Sequence, residues 1–169
     1  MDNQRVVALR NFDGDIIITD PCYIMGDDDG WEKSNHGDNM EAIGIHNHIT
    51  HDTLYGDWSC TTFNSDTKEK IGEFCADAGR VSVLLLDEVM KYNPEFDYHI
   101  NKPWTTTLIK DFRGVVEFVV VHEEGVYEHT TNWHKKGEHW EDDSLRVIGK
   151  GINKSTGRDL NFIAFQTGL

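Results

Sequence analysis

Gly72-Glu73-Phe74-Cys75-Ala76-Asp77-Ala78-Gly79-Arg80-Val81-Ser82-Val83-Leu84-Leu85-Leu86 is the stretch on which the fold reading turns. Its last part, Val81 to Leu86, is a short and nearly continuous apolar run. Such a run fits a strand covered on both faces, with a buried helix as the alternative that periodicity alone leaves open. Upstream, Leu54 to Phe63 (LYGDWSCTTF) is rich in aromatic and β-favouring residues and reads as a second strand. Asn64 to Lys70 between them is polar and turn-like. Asp77 stands among small and apolar neighbours just before the apolar run. A buried carboxylate needs partners, and Arg80 is near enough in sequence to supply one. The plainer role for Asp77 is to hold a turn through backbone N–H groups.

Working outward, Val6 to Asp20 reads as a hairpin with its turn at Asp13-Gly14. Pro21 pushes Asp20 to an extended conformation, so Asp20 marks where the second strand leaves its ladder. Ala42 to Ile49 reads as a strand, and Leu86 to Tyr92 as a short helix that stops before Asn93-Pro94. In the last third, Trp104 to Ile109 is β-favouring, Asp111 to Gly114 is a turn, and Val115 to His122 is a strong strand. Glu123-Glu124-Gly125 reads as a hairpin turn with Val126 to His134 returning, followed by a charged loop from Lys135 to Asp143. Leu145 to Gly151 and Leu160 to Thr167 are strands around a polar turn, Asn153 to Arg158. About nine to eleven strands with one or two short helices give a mainly β fold, an antiparallel β-sandwich or partly open barrel. With 169 residues and no low-complexity linker, the chain is expected to form one domain, 1–169.

The chain carries 30 acids against 16 Lys and Arg, a formal net charge of −14. That balance argues against direct binding to nucleic-acid phosphates, which needs a basic footprint. It favours cationic surfaces or metal ions as partners, beside plain solubility. The N-terminus has no long apolar core of the secretory kind, and no run approaches the length of a spanning helix. Cys22, Cys60 and Cys75 are widely spaced without a C-x-x-C pair. A cytoplasmic, reducing location without membrane association is the expectation.

Four groups of residues are candidates for a site. Asp20, Asp57 and Asp77 each sit beside a turn-forming Gly or Pro at a strand end, and at least two of them are expected to converge. With Tyr23, Trp58 and Arg80 they make a candidate ligand-binding set. His46 and His48 would share a face if they lie on one strand, and with His51 they are a candidate zinc or transition-metal nucleus. The bland alternative is the polar face of a half-exposed strand. Gly26-Asp27-Asp28-Asp29-Gly30 offers carboxylates to a hard cation such as calcium, although its spacing fits a helix–loop–helix site poorly and a solvated loop is the simpler reading. His122, His129 and His134, with Glu117 or Glu128, form a weaker second cluster on the expected hairpin. A divalent metal, zinc or calcium, is thus the cofactor in question.

D-P-C-Y (Asp20 to Tyr23), G-D-W (Gly56 to Trp58) and G-E-F-C-A-D-A-G (Gly72 to Gly79) occur in that order. This order resembles a loose group of uncharacterised bacterial and bacteriophage proteins with a D-P-C-Y opening and a later G-x-F-x-x-D-x-G segment. Where members of that group have G-D-G-x-Y near the end, this chain reads Gly149-Lys150-Gly151-Ile152-Asn153. The resemblance implies a small soluble β-rich protein, phage-encoded in some members, and carries over no catalytic residue. Two functions therefore compete: an acidic binding protein that recognises a small ligand or a host protein, and a metal-dependent hydrolase using His46, His48 and an Asp. A cysteine nucleophile at Cys22 or Cys75 ranks third, because nothing in the sequence sets a base beside either thiol.

Overall fold

The computed structural model of the chain describes residues 3–54, 58–100, 102, 104–126 and 136–168. In chain order the elements are β1 (Gln4–Thr19), a 3-10 turn (Pro21–Tyr23), α1 (Asp28–Lys33), a 3-10 turn (Met40–Ile43), β2 (His48–Asp52), β3 (Trp58–Asn64), β4 (Lys70–Ala76) and β5 (Arg80–Leu85). They continue with α2 (Leu86–Tyr92), a 3-10 turn (Pro94–Phe96), α3 (Asp97–Ile100), β6 (Thr106–Val126), β7 (His139–Asn153) and β8 (Asp159–Gly168). The eight strands form one antiparallel sheet in the order β2-β5-β1-β6-β7-β8-β3-β4. The sheet curls into a half-barrel, so the expected mainly β, partly open architecture is what the chain adopts.

Two cores explain the curl and the apolar run. Phe12, Ile49, Phe74, Val83, Phe118, Leu145, Phe162 and Cys60, drawn from all eight strands, fill the inside. Ile17 and Leu84 point from the other face into a second core with Ile24, Met40, Ile45, Val89 and Phe96 from the helical segments. β5 is therefore covered on both sides, with Val81 and Val83 inward and Leu84 outward. At one edge, β4 doubles back over β6. Gly72 makes the approach close: a Cβ there would lie 3.1 Å from Thr107 Oγ1. A Cβ at Gly149 would lie 2.0 Å from Phe162 Cε1, so the ring occupies the space a side chain would take.

Three turn expectations give way to continuous strands. β1 is one strand of 16 residues, not a hairpin, and pairs along its length with β6. Asp13-Gly14 is a bulge: Gly14 has φ +143° and the register shifts between Gly14 and Ile16. Opposite it, the expected turn at Asp111 to Gly114 is also a bend within β6, with Asp111 at φ +55° and its N–H donating to Asp15 Oδ1 at 2.8 Å. Turns and bulges both demand left-handed backbone, so the same residues mark either. β6 likewise runs through Glu123-Glu124-Gly125 to Val126, and its partner β7 begins at His139, inside the expected charged loop.

The strand expected over Ala42–Ile49 begins only at His48, because Gly44 (φ +86°) closes the 3-10 turn before it. The expected acidic loop starts a helix instead: Asp27 Oδ1 accepts the Gly30 N–H at 3.0 Å, and Asp28 and Asp29 occupy the first turn of α1. α2 spans the expected residues and ends at Asn93. The polar turn after Asn153 and the closing strand β8 also stand where the pattern puts them.

Candidate functional site

Asp20 ties the two singled-out segments together. It follows the end of β1 and is fully buried. Its Oδ1 accepts the Cys22 N–H at 2.9 Å, capping the 3-10 turn. Its Oδ2 accepts the N–H of Ala78 at 2.8 Å and of Arg80 at 3.3 Å, across the β4–β5 turn. Burial raises this carboxyl above its usual range, and the three N–H groups oppose the rise. Gly79 in this turn has φ +74°, which suits glycine.

Asp77, on the exposed tip of the same turn, does not perform the N–H bonding considered for it among the described contacts; Asp20 does. Asp77 accepts a hydrogen bond from the Tyr23 hydroxyl instead. Burial and this bond push the Tyr23 hydroxyl well up, so it stays a donor. Arg80 turns its guanidinium to Asp38, which it meets in an ion pair, while its Nε is buried without a protein partner. Burial lowers the Arg80 pKa and the neighbouring Asp20 opposes that. Asp20 and Asp77 thus converge on one corner together with Tyr23 and Arg80. Asp57 lies outside the described residues, as does the side chain of Trp58; the Trp58 backbone opens β3 opposite Ala76.

Beside this corner lies an open cleft of about 360 Å³. Cys22, Met25 and Trp31 line it together with Ala78, Asp27 and Asp28. Trp31 is held by stacking on His36, with ring centroids 5.1 Å apart. The Cys22 thiol is pushed far up, first by burial and then by Asp20, so it stays protonated at neutral pH. That removes the activation a nucleophile at Cys22 would need. All three cysteines are free thiols.

The imidazoles do not gather. His46 precedes β2 and is held by its backbone, donating to Glu88 Oε1 at 2.9 Å and accepting from Arg10 at 2.6 Å. His48 is buried in β2 with Nε2 3.5 Å from Glu41 Oε2. His51 turns to the opposite strand face and its Nδ1 meets the Asp52 carbonyl at 2.7 Å. Burial lowers the His48 pKa against the pull of Glu41, so the ring is neutral at pH 7. Among the described residues no group of three or more His, Cys, Asp or Glu is placed to hold a metal ion. His122 pairs with Asp143 at 2.8 Å on the β6–β7 ribbon, whereas His129, His134 and Glu128 lie outside the described residues.

Sequence reasoning missed Met25 and Trp31 as cleft walls, and read Asp27 and Asp28 as loop acids. The N-cap pattern of an Asp followed by two acids was the available signal. Among the described residues no helix is long and apolar enough to cross a membrane. Comparison with protein-family models, with curated proteins and with solved structures found no match to this chain.

Proposed function

We propose that the chain is a binding protein that captures a small cationic ligand with an apolar body in the cleft between residues 22–31 and the 77–79 turn. The observation that carries this reading is the meeting of Met25, Trp31 and Cys22 with Asp27 and Asp28 around one cleft of about 360 Å³. Small-molecule sites run from roughly 300 to 1,000 Å³ and combine apolar walls with a few placed polar groups. An indole and a thioether suit an apolar or aromatic body. Carboxylates in the lining, on a chain of net charge −14, favour an amine over an acid. The Asp20 ties keep both walls in register, so the cleft is preorganised.

The test compares an arylalkylamine with the matching arylalkyl carboxylate by thermal shift and calorimetry. The amine is expected to raise the melting temperature and the carboxylate to leave it unchanged. Ala78→Trp fills the cleft from an exposed position while keeping the backbone N–H that Asp20 uses, and is expected to abolish binding. Equal responses to amine and carboxylate, or an undiminished response in Ala78→Trp, would remove the reading.

A further inference from the structure

α3 and the residues between it and β6 hold two large aromatic side chains in solvent, Tyr98 in the helix at 65% exposure and Trp104 after it at 54%. Lys102 lies between them. Its Nζ is 3.8 Å from the centre of the Tyr98 ring and 5.2 Å from that of Trp104. The same ammonium donates to Tyr98 Oη at 2.6 Å. Lys102 and Thr105 are tied to His99 and to each other. Lys102 N–H donates to the His99 carbonyl at 3.2 Å, Thr105 N–H donates to the Lys102 carbonyl at 3.4 Å, and Thr105 Oγ1 donates to the His99 carbonyl at 3.3 Å. His99 packs its ring edge-to-face on Tyr98 with centroids 5.1 Å apart, and its centroid sits 5.3 Å from that of the Tyr23 ring. An aromatic chain therefore runs from the Asp77–Tyr23 corner out to Tyr98.

Exposed Tyr and Trp are the residues from which recognition sites are built. Two rings around an ammonium are moreover the chemistry by which proteins take alkylammonium groups. We propose that Tyr98 and Trp104 form a binding site for an alkylammonium group, and that Lys102 fills it when no ligand is bound. The site shares no residue with the cleft at Trp31 and does not rest on that reading. A tethered occupant is present at high effective concentration, so Lys102 lowers the apparent affinity for any incoming cation. The negative charge of the whole chain draws cations towards both places.

The ligand can reach this seat from two sources, a lysine side chain of a partner protein or a free quaternary amine. Both are probed on the full chain by following tryptophan indole N–H resonances, with Trp104 identified by its loss in Trp104→Ala. Tetramethylammonium chloride and N-acetyl-lysine amide are titrated at constant ionic strength. In Lys102→Ala the Trp104 resonance is expected to shift on titration, with half-saturation at roughly a fivefold lower concentration than in the unchanged protein. Tyr98→Ala on the Lys102→Ala background is expected to abolish the shift. A response to the lysine derivative supports a protein source, and a response to tetramethylammonium supports a free amine. No shift with either probe in Lys102→Ala, or equal half-saturation with and without Lys102, would overturn the proposal. Ala78→Trp leaves this titration unchanged, which separates it from the cleft.

Discussion

Replacing Asp20 by Ala takes the acceptor from three backbone N–H groups at once, those of Cys22, Ala78 and Arg80. A hydrogen bond to a charged group contributes about 1.5–3 kcal/mol, and a neutral one about 1 kcal/mol. The Arg80 contact, at 3.3 Å, is the longest and weakest of the three. Against this, the buried carboxylate bears a desolvation cost, which shows in its raised pKa. The balance is a loss of about 3 kcal/mol. For a chain of this size that lowers the melting temperature by about 6–12 °C. Urea unfolding followed by far-UV circular dichroism reads the free energy directly, and an unchanged slope would confirm that the loss lies in the folded state. Asp20→Asn keeps one acceptor oxygen and should lose less, about 2 kcal/mol. Asp77→Ala, which removes only an acceptor of the Tyr23 hydroxyl at the exposed tip, should cost under about 1 kcal/mol. A loss below about 1 kcal/mol for Asp20→Ala, or equal losses at 20 and 77, would refute the view that Asp20 joins the two segments.

The remaining predictions concern titration, crowding and turns. Burial lowers the pKa of His48 and of His99 from the ordinary 6.5, so the unfolded chain binds more protons just below that pH. Stability should therefore fall as pH drops from about 6.5, and His48→Leu should flatten that part of a melting-temperature profile; a steeper profile would contradict the sign. Gly149→Ala should cost about 2–3 kcal/mol because the new methyl meets the Phe162 ring, and Phe162→Leu in the same chain should recover part of it, as measured by urea unfolding. Asn64 and Asn153 each accept two N–H bonds, from Asp66 and Thr67 and from Ser155 and Thr156. Alanine at either place should cost a similar amount, about 1–2 kcal/mol, and a twofold disparity in thermal unfolding would show that the two turns are not equivalent.

Much of the body was legible in the chain. Val81 to Leu85 is a strand covered on both sides, as its nearly continuous apolar character indicates, and Pro94 stops α2. Asp20 before Pro21 does mark the end of its strand. The failures share a cause. At Asp13-Gly14 and Asp111 the residues show that the backbone must turn left-handed, but only the facing strand decides between a reversal and a bulge. That partner lies about a hundred residues away, as the Arg113–Asp13 contact (separation 100) illustrates. The histidines failed for a local reason, since Gly44 ends a 3-10 turn and moves the start of β2 past His46. The corner itself was half legible: Asp20, Tyr23, Asp77 and Arg80 meet, but Arg80 pairs with Asp38 rather than with Asp77, a tertiary contact over 42 residues.

The distance in sequence between β1 and β6 also bears on how the protein is made. Ile16-Ile17-Ile18 leaves the ribosome long before Thr107, Leu108 and Ile109, against which it will lie. β5 can pair with one edge of this segment earlier, but until β6 arrives the other edge stays open, a known hazard for self-association. Loop closure over so long a separation is slow, so assembly should be paced by this encounter and the equally distant β3–β8 pairing rather than by the nearby hairpins, which can zip early.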